Sequence, residues 1–380
     1  MKVLHLHDAP QILGGPSRYL RRLIPEMAAR GVRSALFSLS PAGEALAPEQ
    51  EAFSYRWPRT ALRRRHDFHR FHAPLARALA AFAGRARPDL VHVQNAAAFR
   101  STLFPTLQEL GLPVLMTVHD FTLVDPNPWG LTRRGLLGPW KKHLDRRSLV
   151  RSRQQVFSAV SLFLCPTEAL RIGIPFPENR SRLLRLPVVE ASAAPLPGPP
   201  LRLLFAGTLY RSKGVDLLLE ALARARGPAT DARLEVAGEG DQEAELASQA
   251  RALGLAGRVT FIGHLDPAGM EAAYARTALL VLPSRVPENS PLTVLEAGAR
   301  GRPSAASHAG GVPELIAPPA RGWTFPPEDP AALARVLEEA AGDPAGSAAR
   351  GARMRAWVRG NFAPQAHWDA LMALYREVSS

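Results

Sequence analysis

The chain has 380 residues, 46% of them apolar, which is length and hydrophobicity enough for two domains with a core each. Its single cysteine, Cys165, excludes an intramolecular disulfide and a cysteine-rich metal site. The net charge of +13 sits in one half: residues 1–190 hold 28 Lys and Arg against 14 Asp and Glu, whereas residues 191–380 hold 19 against 20. A basic half points to an anionic partner (nucleic acid, anionic lipid or a phosphorylated substrate) or to solvated surface in an arginine-rich composition. No run of 18 apolar residues is present, so no membrane span is expected. The opening MKVLHLHDAP reads as a strand rather than a signal peptide, and with one cysteine the expectation is a reducing, cytoplasmic compartment.

In chain order, the first strand candidates are KVLHLH (2–7), SALFSLS (34–40), LVHVQN (90–95), VLMTVHD (114–120) and LFLCPT (162–167). Segments with helical spacing separate them, such as Tyr19, Leu20, Leu23, Ile24 and Met27. Short apolar strands alternating with helices predict a parallel α/β sheet. VVEASAAPLPGPP (188–200) has no periodicity and reads as a linker. The pattern then restarts with LRLLFAG (201–207), RLEVAGEG (233–240), VTFIGH (259–264), ALLVLPS (278–284) and PSAASH (303–308). The expected organisation is a first Rossmann-like domain over 1–187, a linker over 188–200, a second over 201–360, and an amphipathic helix over 361–380 that returns to the first domain. In such sheets ligands bind at the C-terminal ends of strands, and the cleft between two domains is the default site.

PENSPLTVLEAGARG (287–301) carries two glutamates, Glu288 and Glu296, in an otherwise apolar or hydroxylated run. Ser290 is a suitable N-cap, Pro291 suits the first helical position and Gly301 a stop, so a helix is predicted from Pro291 to Arg300 with a stripe of Leu292, Leu295 and Ala299. Glu296 falls on or beside that stripe, and a carboxylate there needs donors. Sugar or ribose hydroxyls supply them; the alternative is a core arginine, with Glu288 as ordinary surface. The first N–H groups of the helix suit a phosphate. In SHAGGVPELI, Gly310 and Gly311 allow backbone to approach a ligand closely. FAGTLYRSKGVDLLLEAL places Arg211 and Lys213 in the loop after a strand, where two cations suit a diphosphate. HLHDAPQILGGPSRYL repeats strand, glycine pair and helix, and TVHDF puts His119 and Asp120 at a strand end.

The order of these motifs resembles the retaining glycosyltransferase family 4, with its GT-B architecture of two Rossmann-like parallel-sheet domains facing a central cleft. The resemblance runs over nearly the whole chain and is carried most specifically by the Glu-x7-Glu element in its strand–loop–helix context. It implies that Glu288 meets hydroxyls of the transferred sugar, that Glu296 holds the nucleotide ribose, and that Asn289, Ser290, Pro291 and Leu292 approach sugar and phosphates. It implies Lys213 and Arg211 at the leaving diphosphate and His119 at the donor sugar. Gly14 and Gly15, with Gly207 and Gly263 among the nucleotide-binding positions, would lie close to the donor. No metal and no cofactor are expected; the donor, a UDP- or GDP-sugar, is a substrate. The acceptor would be a glycan or lipid-linked glycan of bacterial cell-surface polysaccharide synthesis, with peripheral contact to anionic membrane and no nucleic-acid partner. Relatives often carry Arg at the position of Thr208, so Lys213 ranks above Arg211, and an inactive paralogue stays open.

Two basic stretches, 60–87 and 132–153, read either as surfaces for an anionic membrane or as solvated helix faces. His5, His7, His66, His69 and His72 fit no standard zinc spacing. Cys165 is expected as core packing. Three other functions compete. A non-hydrolysing sugar-nucleotide epimerase would share the architecture. A nucleic-acid-binding protein would explain the charge but lacks a recognisable module. A dehydrogenase lacks the Gly-x-Gly-x-x-Gly turn.

Overall fold

The computed structural model describes residues 1–7, 15–39, 51–55, 71–95, 100–124 and 138–380, with the side chains of Asn95 and of residues 138–148 excepted. Gly14, His66 and His69, and much of both basic stretches, lie outside the described residues. The described chain forms two compact units. The first holds the described residues up to 124, residues 138–186 and Gln365–Ser380; the second holds Pro187–Pro364. Among the described residues no helix is long and apolar enough to cross a membrane.

The first unit is a seven-stranded sheet. Its strands are β1 (Lys2–His7), β2 (Arg33–Ser38), β3 (Glu51–Ser54), β4 (Leu90–Asn95), β5 (Val114–Thr117), β6 (Leu162–Cys165) and β7 (Ser181–Leu183), in the order β3-β2-β1-β4-β5-β6-β7. Every pairing is parallel. The helices between strands bury the two faces, which is why the strands are near-continuous apolar runs. Cys165 is one of these packed residues, its thiol pushed by burial up to about 12. The C-terminal helix, Pro364–Ser379, buries Trp368, Leu371 and Tyr375 in this unit against Tyr19, Leu20 and Leu23 of the helix Gly15–Ala28 and against Leu184 and Leu186. Trp368 stacks on Tyr19, ring centroids 5.9 Å apart.

The second unit is a six-stranded parallel sheet of β8 (Arg202–Ala206), β9 (Arg233–Ala237), β10 (Val259–Gly263), β11 (Leu279–Leu282), β12 (Ser304–Ser307) and β13 (Gly322–Phe325). Its order is β10-β9-β8-β11-β12-β13. In both sheets the strand order reverses beside the first strand, between β1 and β4 and between β8 and β11. In open α/β sheets such a reversal leaves a crevice outside the strands' C-terminal ends, where ligands bind.

The expected linker is not free. Val188 is buried and its N–H bonds the Phe362 carbonyl at 3.0 Å. The buried Arg302 donates to the carbonyls of Pro195, Tyr274 and Ala275, and Arg355 donates to that of Ala191. Three carbonyls, rather than a carboxylate, satisfy the Arg302 guanidinium, so residues 187–200 form a strap on the second unit.

Candidate functional site

At the reversal in the second sheet, two loops meet. The loop after β8 turns through a short 3-10 helix, Arg211–Lys213, into the helix Val215–Arg224. The loop after β11 runs from Pro283 to Pro291 into the helix Leu292–Ala299. Gly214 lets them close: its φ is +70°, and a Cβ there would lie 2.1 Å from the Pro283 carbonyl oxygen. Arg285 ties the loops together. Its guanidinium makes a two-point pair with Asp216, at 2.6 and 2.7 Å, and also donates to the Arg211 carbonyl at 2.9 Å. Its own N–H bonds the Ser212 carbonyl at 2.8 Å.

That frame presents Lys213. Its Nζ lies 2.6 Å from Glu288 Oε1, which also accepts from the Ser284 hydroxyl. Both partners of the ion pair are partly buried, with 27% and 16% of their side chains exposed. The Glu288 backbone bridges Gly310, whose φ of +62° and the 2.1 Å from its would-be Cβ to the Glu288 carbonyl exclude other residues. The Gly310-Gly311 pair, expected to approach a ligand, therefore acts on the Glu288 loop: the Gly311 N–H also donates to the Glu288 carbonyl at 2.7 Å. Arg211 is exposed, and what the frame uses of it is its carbonyl. Thr208 is exposed just beyond β8, after Gly207.

The helix with Glu296 begins one residue later than expected. Pro291 is its N-cap, in extended conformation, and Ser290 does not cap it. Instead the Ser290 hydroxyl is buried with no hydrogen-bond partner among the described residues, and Asn289 is buried beside it. The N–H groups of Leu292 and Thr293 precede the helix's first internal bond, from the Val294 N–H to the Pro291 carbonyl. The buried residues are Val294, Leu295, Ala297, Gly298 and Ala299, with Gly298 packed on Met354 and Val358; Leu292 is left half-buried. Glu296 is supported from within its own unit. Its Oε2 accepts from the buried Tyr274 hydroxyl at 2.8 Å, while the Arg300 guanidinium donates to its carbonyl and lies 4.7 Å from the Tyr274 ring. The two carboxylates thus have separate supports. Gly263, at the end of β10, holds a φ of +65° and its carbonyl accepts the Gly238 N–H.

The first unit carries a different kind of site at its own reversal. His7 ends β1, Gln94 lies near the end of β4 and His119 follows β5. Gly15 begins the helix after β1, and Ser17 on that helix pairs with His7 Nε2 at 3.1 Å. His5, His92 and His367 are buried nearby in the same unit. Burial lowers His5 and His119 from 6.5 to about 3, and His7 and His367 to about 4; it also holds His92 well below 6.5. All five are neutral in the folded protein near pH 7. Among the described residues no group of three or more His, Cys, Asp or Glu side chains has metal-binding geometry.

Those histidines predict acid lability. Once unfolded they return toward 6.5 and take up protons that the folded state refuses. Stability is full above pH 6.5 and is lost as pH falls toward 4 and 3, by about 1.4 kcal/mol per histidine per pH unit. Scanning calorimetry should show the first unit's melting temperature falling steeply between pH 6.5 and 5. A flat profile there would mean that the histidines protonate in place.

Comparison with known proteins gives the setting. The model of glycosyltransferase family 4 matches residues 13–172, and that of glycosyl transferases group 1 matches residues 190–357. A glycogen synthase of Mycobacterium tuberculosis is 37% identical over 167 residues, 43% of this chain and 40% of that enzyme. The lipopolysaccharide core biosynthesis mannosyltransferase LpcC of Rhizobium leguminosarum is 32% identical over 192 residues, 49% of this chain and 53% of that one. The chain thus spans about half or less of the length of these curated relatives. Among solved structures, a sucrose-phosphate synthase from Thermosynechococcus elongatus superposes with a TM-score of 0.81 at 21% identity, covering 99% of this chain and 98% of that one. Anabaena HepE in complex with UDP-glucose superposes with a TM-score of 0.77 at 18% identity, covering 99% and 100%. Fold, motif order and both family models agree: the chain belongs to the GT-B glycosyltransferases, matching family 4 in its first half and group 1 in its second.

Proposed function

We propose that the protein moves a sugar from a nucleotide-sugar donor to a glycan or lipid-linked acceptor, with retention of anomeric configuration and without a metal. The observation that carries this reading is the Lys213–Glu288–Ser284 constellation at the strand reversal of the second sheet. A cation held beside a carboxylate, together with the N–H groups that precede a helix's first internal bond, can meet a diphosphate while the carboxylate accepts from sugar hydroxyls. Lys213 takes the charge that develops on the leaving diphosphate. The Leu292 and Thr293 N–H groups and the unpartnered Ser290 hydroxyl add neutral donors. Glu296, held by Tyr274, offers its carboxylate to ribose hydroxyls. Departure and attack on the same face of the sugar, assisted by the leaving phosphate, give retention. A nucleotide sugar is supported by the HepE structure with UDP-glucose, and a cell-surface glycan by the lipopolysaccharide core mannosyltransferase among the relatives.

The test is ligand-dependent melting of wild type and Glu296→Ala with UDP, GDP, UDP-glucose and GDP-mannose. A ligand at 100 times its Kd adds about 2.7 kcal/mol of stability. One nucleotide family should raise the wild-type melting temperature, and the variant should lose most of that rise. Equal shifts in both proteins would remove Glu296 from the ribose, and no shift with any ligand would sink the donor reading.

A further inference from the structure

A hydrogen-bonded chain of buried side chains runs through the first unit from the C-terminal helix to His119. Tyr375 Oη lies 2.7 Å from His92 Nδ1. His92 Nε2 lies 3.0 Å from the amide nitrogen of Gln94, and Gln94 Oε1 lies 3.2 Å from His119 Nε2. Tyr375 and His92 are fully buried, Gln94 is 1% exposed, and His119 is half-buried at the end of the chain. The Tyr19 ring, 5.8 Å from that of His119, packs against its side, and the charged form of His7 would further disfavour protonation of His119.

The chemistry of the middle link decides the protons. An amide nitrogen only donates, so His92 Nε2 is the acceptor and the proton of this neutral ring sits on Nδ1, donated to Tyr375 Oη. The Thr117 hydroxyl, 2.8 Å from the same His92 Nε2, turns its proton toward it as well. An amide oxygen only accepts, so His119 Nε2 carries the proton. A reversed Gln94 amide would invert every one of these assignments together, which makes the amide orientation the quantity to test.

We propose that Gln94 is a positioning residue that holds His119 in its Nε2–H tautomer, with the amide itself oriented by His92 and Tyr375. In that tautomer His119 Nδ1 has a lone pair and can only accept, so a sugar hydroxyl meeting it there must be the donor. This role rests on the reading of His119 as a group that meets the transferred sugar; the tautomer itself does not. Tyr375 on the last helix, 283 positions from the His92 it pairs with, thereby helps set the hydrogen-bonding sense of a side chain at the strand reversal.

Long-range 1H–15N spectra of the full chain, labelled in histidine and recorded at pH 7, read the tautomers without any substrate; His119→Ala assigns the signal. Wild type should show His119 protonated on Nε2. Gln94→Met, which keeps side-chain length and removes both amide contacts, should give a mixture of tautomers. Tyr375→Phe should loosen His92 and give a smaller shift in the same direction. Gln94→Glu keeps an acceptor toward His119, so it should restore the tautomer while its charge raises the His119 pKa. Cleavage of UDP-glucose and GDP-mannose then reads the consequence: Gln94→Met should lower kcat about tenfold with little change in KM. Gln94→Glu should recover kcat but move the acid limb of the pH profile upward.

A wild-type His119 protonated on Nδ1 overturns the proposal, as does a tautomer unmoved in both Gln94→Met and Tyr375→Phe. A shifted tautomer with unchanged kcat refutes the positioning role. Wild-type cleavage by His119→Ala would refute the reading of His119 at the sugar, and the positioning role with it, while leaving the tautomer assignment standing.

Discussion

Lys213→Met should lower turnover of the donor by about 10²–10³-fold, the scale seen when one preorganised group that stabilises developing charge is removed. The substitution keeps the aliphatic stem and deletes the charge, so the fold loses one partly buried ion pair. Its stability should change by only about 1 kcal/mol. Glu288 keeps Ser284 as a donor and its loop stays bridged to Gly310, so the carboxylate remains in place for sugar hydroxyls. The loss should therefore fall on kcat more than on donor affinity. Steady-state kinetics and a denaturant melt of the same preparation check both halves. Turnover above a tenth of wild type would move the cationic role to the exposed Arg211 or to another group. Lys213→Arg should rescue poorly, because a planar fork does not replace a compact ammonium held 2.6 Å from one carboxylate oxygen.

Trp368→Ala should destabilise the first unit by about 3–5 kcal/mol, the usual cost of truncating a buried tryptophan. Trp368 is 1% exposed, stacked on Tyr19 and in edge contact with His367, whose Nδ1–H donates to the Arg185 carbonyl. With that nitrogen a donor, His367 Nε2 accepts from the Tyr19 hydroxyl, so the tryptophan lies against a pair that is fixed at both ends. A loss of this size is a large fraction of the 5–15 kcal/mol typical of a domain. Because the chain has two units, the effect should be confined to one transition of a denaturant melt, with the second unit's unchanged. A midpoint equal to wild type, or a parallel shift of both transitions, would contradict the packing described.

The alternation of apolar strands and helices was legible in the sequence because parallel strands buried on both faces are continuous apolar runs. VLMTVHD and ALLVLPS show this plainly, their strands VLMT and LLVL being buried throughout. β3, β7 and β13 were not legible. They are strands of three or four residues at or near sheet edges, too short to carry a period. The pairing of Lys213 with Glu288 was half legible: each residue stood out as a charge after a strand, but only the adjacency of β8 and β11 brings positions 75 apart together. Tyr274 was missed as the support of Glu296, since a tyrosine in an apolar helix reads as core, and here it is core with a hydroxyl that reaches out. The strap was misread for a related reason. Proline and alanine suggest a free chain, yet an irregular segment exposes carbonyls, and guanidinium groups from Arg302 and Arg355 bind them. Ser290 looked like a cap because its type suits one; Pro291 takes the cap position, and the hydroxyl is left for something else.

The return of the last helix to the first unit has a consequence for the order in which the protein is made. Pro187–Pro364 is continuous, so these residues of the second unit are all made before the helix that returns to the first unit. The first unit, whose strands all precede the second unit, lacks Trp368, Leu371 and Tyr375 until that helix too has left the ribosome. Of the two units, the one begun first is thus the one completed second. Its apolar face around Leu20, Leu23 and Leu184 must wait through the synthesis of the whole second unit, which makes the nascent chain at that stage the natural client of a chaperone.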